Sequence, residues 1–213
     1  MRSERYFAHP KRAVIVGMSL ITVVLLMAIF VPAEPLSVDQ AWSDAMQDHQ
    51  RPLFEDVALF FNALGRGVGL VVSLTVIAVV LLRARRWLAI AVLAIVESLA
   101  PLSAALLKGL TQRARPPDGV VHPHGSSFPS GHTTYAGATC IALVLLFTTP
   151  TARSRWWWAL AALGIIGMAW SRTYLQVHWL SDVIGGALLG VGISLLVFGA
   201  AQTTRRPLKE GSD

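Results

Sequence analysis

Residues 171–201 read SRTYLQVHWLSDVIGGALLGVGISLLVFGAA, and the change of character inside this stretch decides the fold. Its first part carries Ser171, Arg172, His178 and Asp182, whereas no charged residue occurs from Val183 to Thr204. A membrane-spanning helix needs roughly 20 mostly apolar residues, and residues 180–201 supply them. A polar group therefore stands at the mouth of a spanning helix. His178 and Asp182 are four residues apart, one helical turn, so the carboxylate can accept from one imidazole nitrogen and leave the other directed outward.

Five further apolar runs lie upstream, at about 13–31, 67–82, 87–107, 132–147 and 156–170. The reading is all-α: a polytopic membrane protein with a bundle of six transmembrane helices, residues 1–213 forming one integral membrane domain. At 54% hydrophobic, 14% charged and mean hydropathy +0.57, the chain is too apolar for an ordinary soluble domain. Cys140 is the single cysteine, which excludes a disulfide within the chain. The basic N-terminus, first apolar run and Val31-Pro32-Ala33 resemble a signal peptide, but the run is long for one, so it is read as a span. Gly185, Gly186, Gly190 and Gly192 suit close helix packing.

A net charge of +6 is compatible with nucleic-acid binding, but the cations alternate by loop. Arg2, Arg5, Lys11 and Arg12, then Arg83, Arg85 and Arg86, then Arg153 and Arg155, then Arg205, Arg206 and Lys209 fall at alternate span ends. The positive-inside rule makes these ends cytoplasmic, with both termini inside a cell membrane. No nucleic-acid partner is expected. Arg51, Arg66, Lys108, Arg113, Arg115 and Arg172 remain on the outer side, facing an acidic outer loop at 34–65. Within that loop, residues 52–64 have a mixed apolar pattern suited to an interfacial helix. Trp87, Trp156-Trp157-Trp158 and Trp179 fall at span ends, where an aromatic belt is expected.

Three polar stations share the outer side. The first is Lys108 with Arg115-Pro116; on a helix continued outward the two cations share a face about 10.5 Å apart along the axis, and Pro116-Pro117 ends it. The second is Pro129-Ser130-Gly131-His132, where Ser130 can cap the fourth spanning helix and a free helix N-terminus favours phosphate. The third is Ser171-Arg172 with His178 and Asp182. Three cations can hold a phosphoryl group, His178 can attack it, and His132 can protonate what leaves. Glu97, inside the third span and three turns before Lys108, divides between a structural role and support of the site from behind. A zinc site drawing on His122, His124 and His132 is disfavoured, since three cations nearby would repel the metal. No metal or cofactor is expected.

In order and internal spacing, these stations resemble the signature of the type 2 phosphatidic acid phosphatase superfamily, and the layout is similar over about residues 34–200. The resemblance implies metal-independent phosphoryl transfer through a covalent phosphohistidine. By position it makes His178 the nucleophile, Asp182 its orienting carboxylate and His132 the general acid. Lys108, Arg115, Ser130, Gly131 and Arg172 become the phosphate-binding groups. The family also holds soluble haloperoxidases and glucose-6-phosphatases; the short spanning chain is closer to its bacterial lipid phosphatases. The expected activity is hydrolysis of a membrane lipid phosphate or pyrophosphate at the outer face, with undecaprenyl pyrophosphate the first candidate, then phosphatidylglycerophosphate or phosphatidic acid. A lipid phosphotransferase using the same intermediate is one alternative, and a lipid-phosphate-binding membrane protein without catalysis is another. Oligomeric state is not legible.

Overall fold

The computed structural model describes residues 5–65, 67–121, 125–151 and 155–204, and within them every regular element is an α-helix. Arg2, Arg66, His122, His124, Arg153, Arg205, Arg206 and Lys209 lie outside the described residues. The helices are α1 (Pro10–Phe30), α2 (Ser37–Asp48), α3 (Pro52–Leu64), α4 (Gly67–Arg83), α5 (Trp87–Thr111), α6 (Gly131–Phe147), α7 (Arg155–Tyr174) and α8 (Leu180–Thr203). Six of them, α1 and α4 to α8, occupy the six apolar runs. By length and composition α1, α5 and α8 can each cross a membrane, and α4 and α6 are shorter apolar helices. Ile15, Val71, Leu110 and Ile166 on four of these helices are each more than 60% exposed, a surface that only lipid tails would cover without cost.

Helix α8 is the hub, packed between α1 and α6. Its uncharged run has small residues where neighbours approach. A Cβ at Gly190 would overlap the Thr134 carbonyl oxygen of α6, so only glycine allows that approach. Ser194 Oγ donates to the Ala138 carbonyl at 2.8 Å across the same seam. The apolar core around it includes Val24, Val96, Ala138, Leu145, Leu189 and Phe198. The side chain of Gln202 accepts from the backbone N–H of Tyr6 and Phe7, each at 2.9 Å, which brings the beginning and end of the described chain to one end of the bundle.

The segment 34–65 differs from expectation. The helix expected over 52–64 is α3, started by Pro52 at its first turn, but α2 precedes it. Val38, Ala41, Trp42, Ala45 and Met46 recur at helical spacing along it, a period the loop reading missed among its acidic residues; tertiary bonds hold it in place. Ser43 Oγ donates to Gln176 Oε1 at 2.6 Å, and Asp39 is fully buried against α8. The seat of Trp179 is also corrected. It is 4% exposed rather than in an aromatic belt, because it is the residue capping α8 and its Nε1 donates to the Ala114 carbonyl at 2.9 Å.

Candidate active site

Helix α5 stops at Thr111, where Gln112 turns into the left-handed region at φ 45° and its N–H closes on the Lys108 carbonyl. The helical continuation to Arg115 therefore does not occur. Lys108 stays on the helix, Arg115 comes from the extended segment beyond, and they converge because the chain turns. Lys108 Nζ donates to the Ser126 and Ser127 carbonyls at 2.8 and 3.2 Å. Arg115 donates to the carbonyls of Val177 at 2.7 Å and of Gly125 and Ser126 at 3.1 Å. Arg172, at the end of α7, donates to Asn62 Oδ1 at 2.8 Å and to the Ala58 carbonyl at 3.3 Å, both on α3.

Ser130 caps α6, its Oγ accepting from the Thr133 N–H at 3.5 Å and from the Thr133 hydroxyl at 3.1 Å. Its own N–H donates to the Asp182 carbonyl at 3.0 Å, joining the starts of α6 and α8. Asp182 accepts the Trp179 N–H on Oδ2 at 2.9 Å, and the same oxygen lies 3.5 Å from His178 Nδ1. That separation is longer than an ordinary hydrogen bond, as is common before substrate draws catalytic groups together.

These elements enclose a cavity of about 120 Å³ lined by Asn62, Lys108, Arg115, Val121, Gly131, His132, Arg172, Val177 and His178. Three cations, two histidines and the first turn of α6 thus share one wall, where the positive end of the α6 dipole also favours an anion. A Cβ at Gly131 would meet no atom within 4 Å, so the space before it belongs to the cavity. Ser130 and Asp182 are fully buried behind this surface. Arg115 Nη1 lies 3.2 Å from His178 Nε2. A guanidinium only donates, so Nε2 holds the lone pair and the ring proton is on Nδ1, toward Asp182. Burial pushes the His178 imidazole down to about 4; Asp182 partly offsets this, while Lys108 and Arg115 add to it. Burial likewise lowers the Arg115 guanidinium from its usual value, with Asp182 opposing. The histidine is neutral at pH 7, and its Nε2, with the lone pair turned to Arg115, is at the cavity edge; a neutral imidazole nitrogen is the form able to act as a nucleophile.

A second cavity, about 260 Å³, is lined by Gly65, Leu74, Glu97, Pro101, Ala104, Ala105, Lys108, Gly131, His132 and Tyr135. Glu97 accepts from Thr139 Oγ1 at 2.8 Å and so stands on a wall that leads to Lys108 and His132. Among the described residues no group of three His, Cys, Asp or Glu side chains is placed to hold a metal. Sequence reasoning missed Asn62, Arg113 and Asp39. Arg113 counted only as an outer cation and Asp39 only as loop acidity, and Asn62 sits in an apolar helix with no motif around it.

The profile of the PAP2 superfamily matches residues 86–206, which contain all three stations. The chain belongs to the PAP2 superfamily. Among curated relatives, an undecaprenyl-diphosphatase from Sulfolobus acidocaldarius is 40% identical over 74 residues, 35% of this chain and 33% of the relative. A phosphatidylglycerophosphatase B from Bacillus subtilis is 33% identical over 106 residues, 47% of this chain and 52% of that one. The alignments thus span about a third and about half of these relatives' lengths. A crystal structure described as the first transmembrane PAP2-type phosphatidylglycerolphosphate phosphatase, from Bacillus subtilis, superposes with a TM-score of 0.72 at 25% identity, covering 94% of this chain and 99% of that chain. Membership in the PAP2 superfamily joins the three stations to a membrane fold already seen in that phosphatase.

Proposed function

We propose that this PAP2 protein is a membrane lipid phosphatase that cleaves a lipid phosphate or pyrophosphate through a phosphohistidine on His178. The observation that carries this is the placement of His178, its Nε2 3.2 Å from Arg115 Nη1 in a cavity shared with Lys108, Arg172 and His132. The nitrogen lone pair forms the N–P bond as the bond from phosphorus to the lipid oxygen breaks. His132, at the α6 start, gives its proton to that oxygen. Water then cleaves the N–P bond with His132 as base, releasing phosphate and restoring His178. Lys108, Arg115, Arg172 and the Gly131 end of α6 hold the phosphoryl oxygens, with Ser130 fixing that helix end from behind. These fixed donors supply the charge that a metal supplies elsewhere, so the reaction is assigned no metal.

The relatives' names make undecaprenyl pyrophosphate the first substrate candidate and phosphatidylglycerophosphate the second, with phosphatidic acid after them. All six apolar helices are assigned as spans, both chain ends to the cytoplasm and the cavity to the outer face, from the alternation of basic loops. Glu97 is assigned the polar end of the 260 Å³ cavity, supporting the site from within the bilayer. Release of inorganic phosphate from these lipids by purified protein in detergent, with excess chelator, tests the reading. Release that survives chelation is expected. No release from any lipid overturns it, and release that needs one added metal overturns its metal-free mechanism.

A further inference from the structure

Arg113 is 1% exposed and lies two residues before Arg115, yet it points away from the cavity. Its Nη1 donates to Asp182 Oδ1 and to Ser181 Oγ, both at 2.7 Å, and its Nη2 donates to Asp39 Oδ2 at 2.6 Å. Asp39, fully buried on α2, also accepts the Ser181 N–H on Oδ1 and the Ser181 hydroxyl on Oδ2, each at 2.8 Å. We propose that Arg113 and Asp39 are positioning residues that act through Asp182 on His178, making the outer-loop helix α2 part of the catalytic centre. This rests on the phosphohistidine reading above.

The charge count favours this over a plain structural bridge. Burying an ion is costly unless it is paired, and one carboxylate would suffice to pair one guanidinium. Asp39 already caps its own helix by accepting the Leu36 N–H, at 3.2 Å, a job any exposed aspartate performs. Instead two buried carboxylates flank one cation, leaving a net charge of −1 beside a neutral ring. When His178 Nε2 bonds to phosphorus and Nδ1 keeps its proton, the ring gains +1 and the group becomes neutral. Geometry points the same way. Arg113 occupies Asp182 Oδ1, so Oδ2 is the oxygen turned to His178 Nδ1. The other charged groups facing His178 are Lys108 from α5 and Arg115, with Arg172 and His132 on the same cavity, and none of them changes in the variants below.

Asp39→Asn and Arg113→Lys are compared with wild type for kcat, KM, and affinity for orthovanadate and for inorganic phosphate. Vanadate can form the fifth bond to Nε2 and so feels the ring's developing charge; phosphate binds the cations without it. The expected result is a loss of on the order of 10²-fold in kcat, the scale of a misplaced catalytic group, with KM little changed. Vanadate should weaken at least tenfold while phosphate affinity holds. Ser181→Ala leaves no buried charge unpaired and serves if the charged variants do not fold; its kcat should fall about threefold or more at constant KM. Wild-type kcat and vanadate affinity in folded variants overturn the proposal, as does a loss shared equally by vanadate and phosphate. A wild-type protein that binds vanadate far more tightly than phosphate but hydrolyses no lipid overturns the hydrolase reading alone, and the affinity ratios still decide the role of Arg113 and Asp39.

Discussion

At the scale of residues, the two histidines differ in surroundings and so should differ in what their loss does. His178 has Asp182 at one nitrogen and Arg115 at the other, whereas His132 lies in the first turn of α6 against Gly65. A nucleophile serves every substrate; a general acid matters only for a poor leaving group. His178→Ala should abolish turnover of lipid phosphate and of an activated aryl phosphate alike. His132→Ala should lose the lipid reaction by about 10²- to 10⁴-fold and keep far more of the aryl one. Equal relative losses in both variants would refute the assignment. The depressed His178 value also predicts a pH effect on stability. The folded protein holds the ring neutral down to about 4, while an unfolded histidine takes its proton near 6.5. Its contribution is therefore fully present above 6.5 and is lost as pH falls toward 4, at about 1.4 kcal/mol per pH unit. Thermal unfolding of wild type and His178→Asn should converge between pH 7 and 4.5, and parallel curves would contradict the buried neutral ring.

At the scale of elements, the junction of α3 with the site is the most sensitive. Gly65 ends α3 at φ −90°, a conformation open to any residue, but a Cβ there would lie 2.6 Å from His132 Cδ2 and 3.2 Å from Met168 Cε. Gly65→Ala should leave the fold intact and displace the imidazole. Hydrolysis of lipid phosphate should fall about 10²-fold, with the aryl phosphate less affected. A variant with unchanged rates on both would show that His132 has room to move without penalty. The same helix supplies Asn62 and the Ala58 carbonyl to Arg172, so α3 is tied to the site as well as carrying the apolar pattern of an interfacial helix.

At the scale of the whole molecule, both described ends of the chain meet through Gln202, Tyr6 and Phe7, and the cavity forms where α5, α6, α7 and α8 begin or end. The basic loops assign those two regions to opposite sides of the membrane. Asp118 and Ala84 are both exposed, the first near the cavity and the second after α4. In a Cys140→Ala background, Asp118→Cys should react with an impermeant thiol reagent on intact cells and Ala84→Cys should not. The reverse pattern would invert the orientation and move the substrate to the inner leaflet.

The six apolar segments, the capping serine and the residue types of the three stations were all legible in the sequence, because each rests on composition or spacing along a single stretch of chain. Hydropathy needs no partner, and a cap reaches only three residues. What the sequence could not show is how distant stretches meet. Asp39 reaches Arg113 across 74 residues and Ser181 across 142, so neither pairing leaves a local pattern. The early end of α5 depends on Gln112 turning so that Arg113 can be buried, and the burial of Trp179 depends on the carbonyl of Ala114. Helix α2 was legible in principle from the helical spacing of Val38, Ala41, Trp42, Ala45 and Met46, but its seat was not, because Asp39 and Ser43 on its polar side bind residues far along the chain. Tertiary structure alone decided that the 34–65 segment is joined to the His178 cavity through Asp39, Arg113 and Asp182, since the free energy of a buried ion pair exists only once both partners have left water.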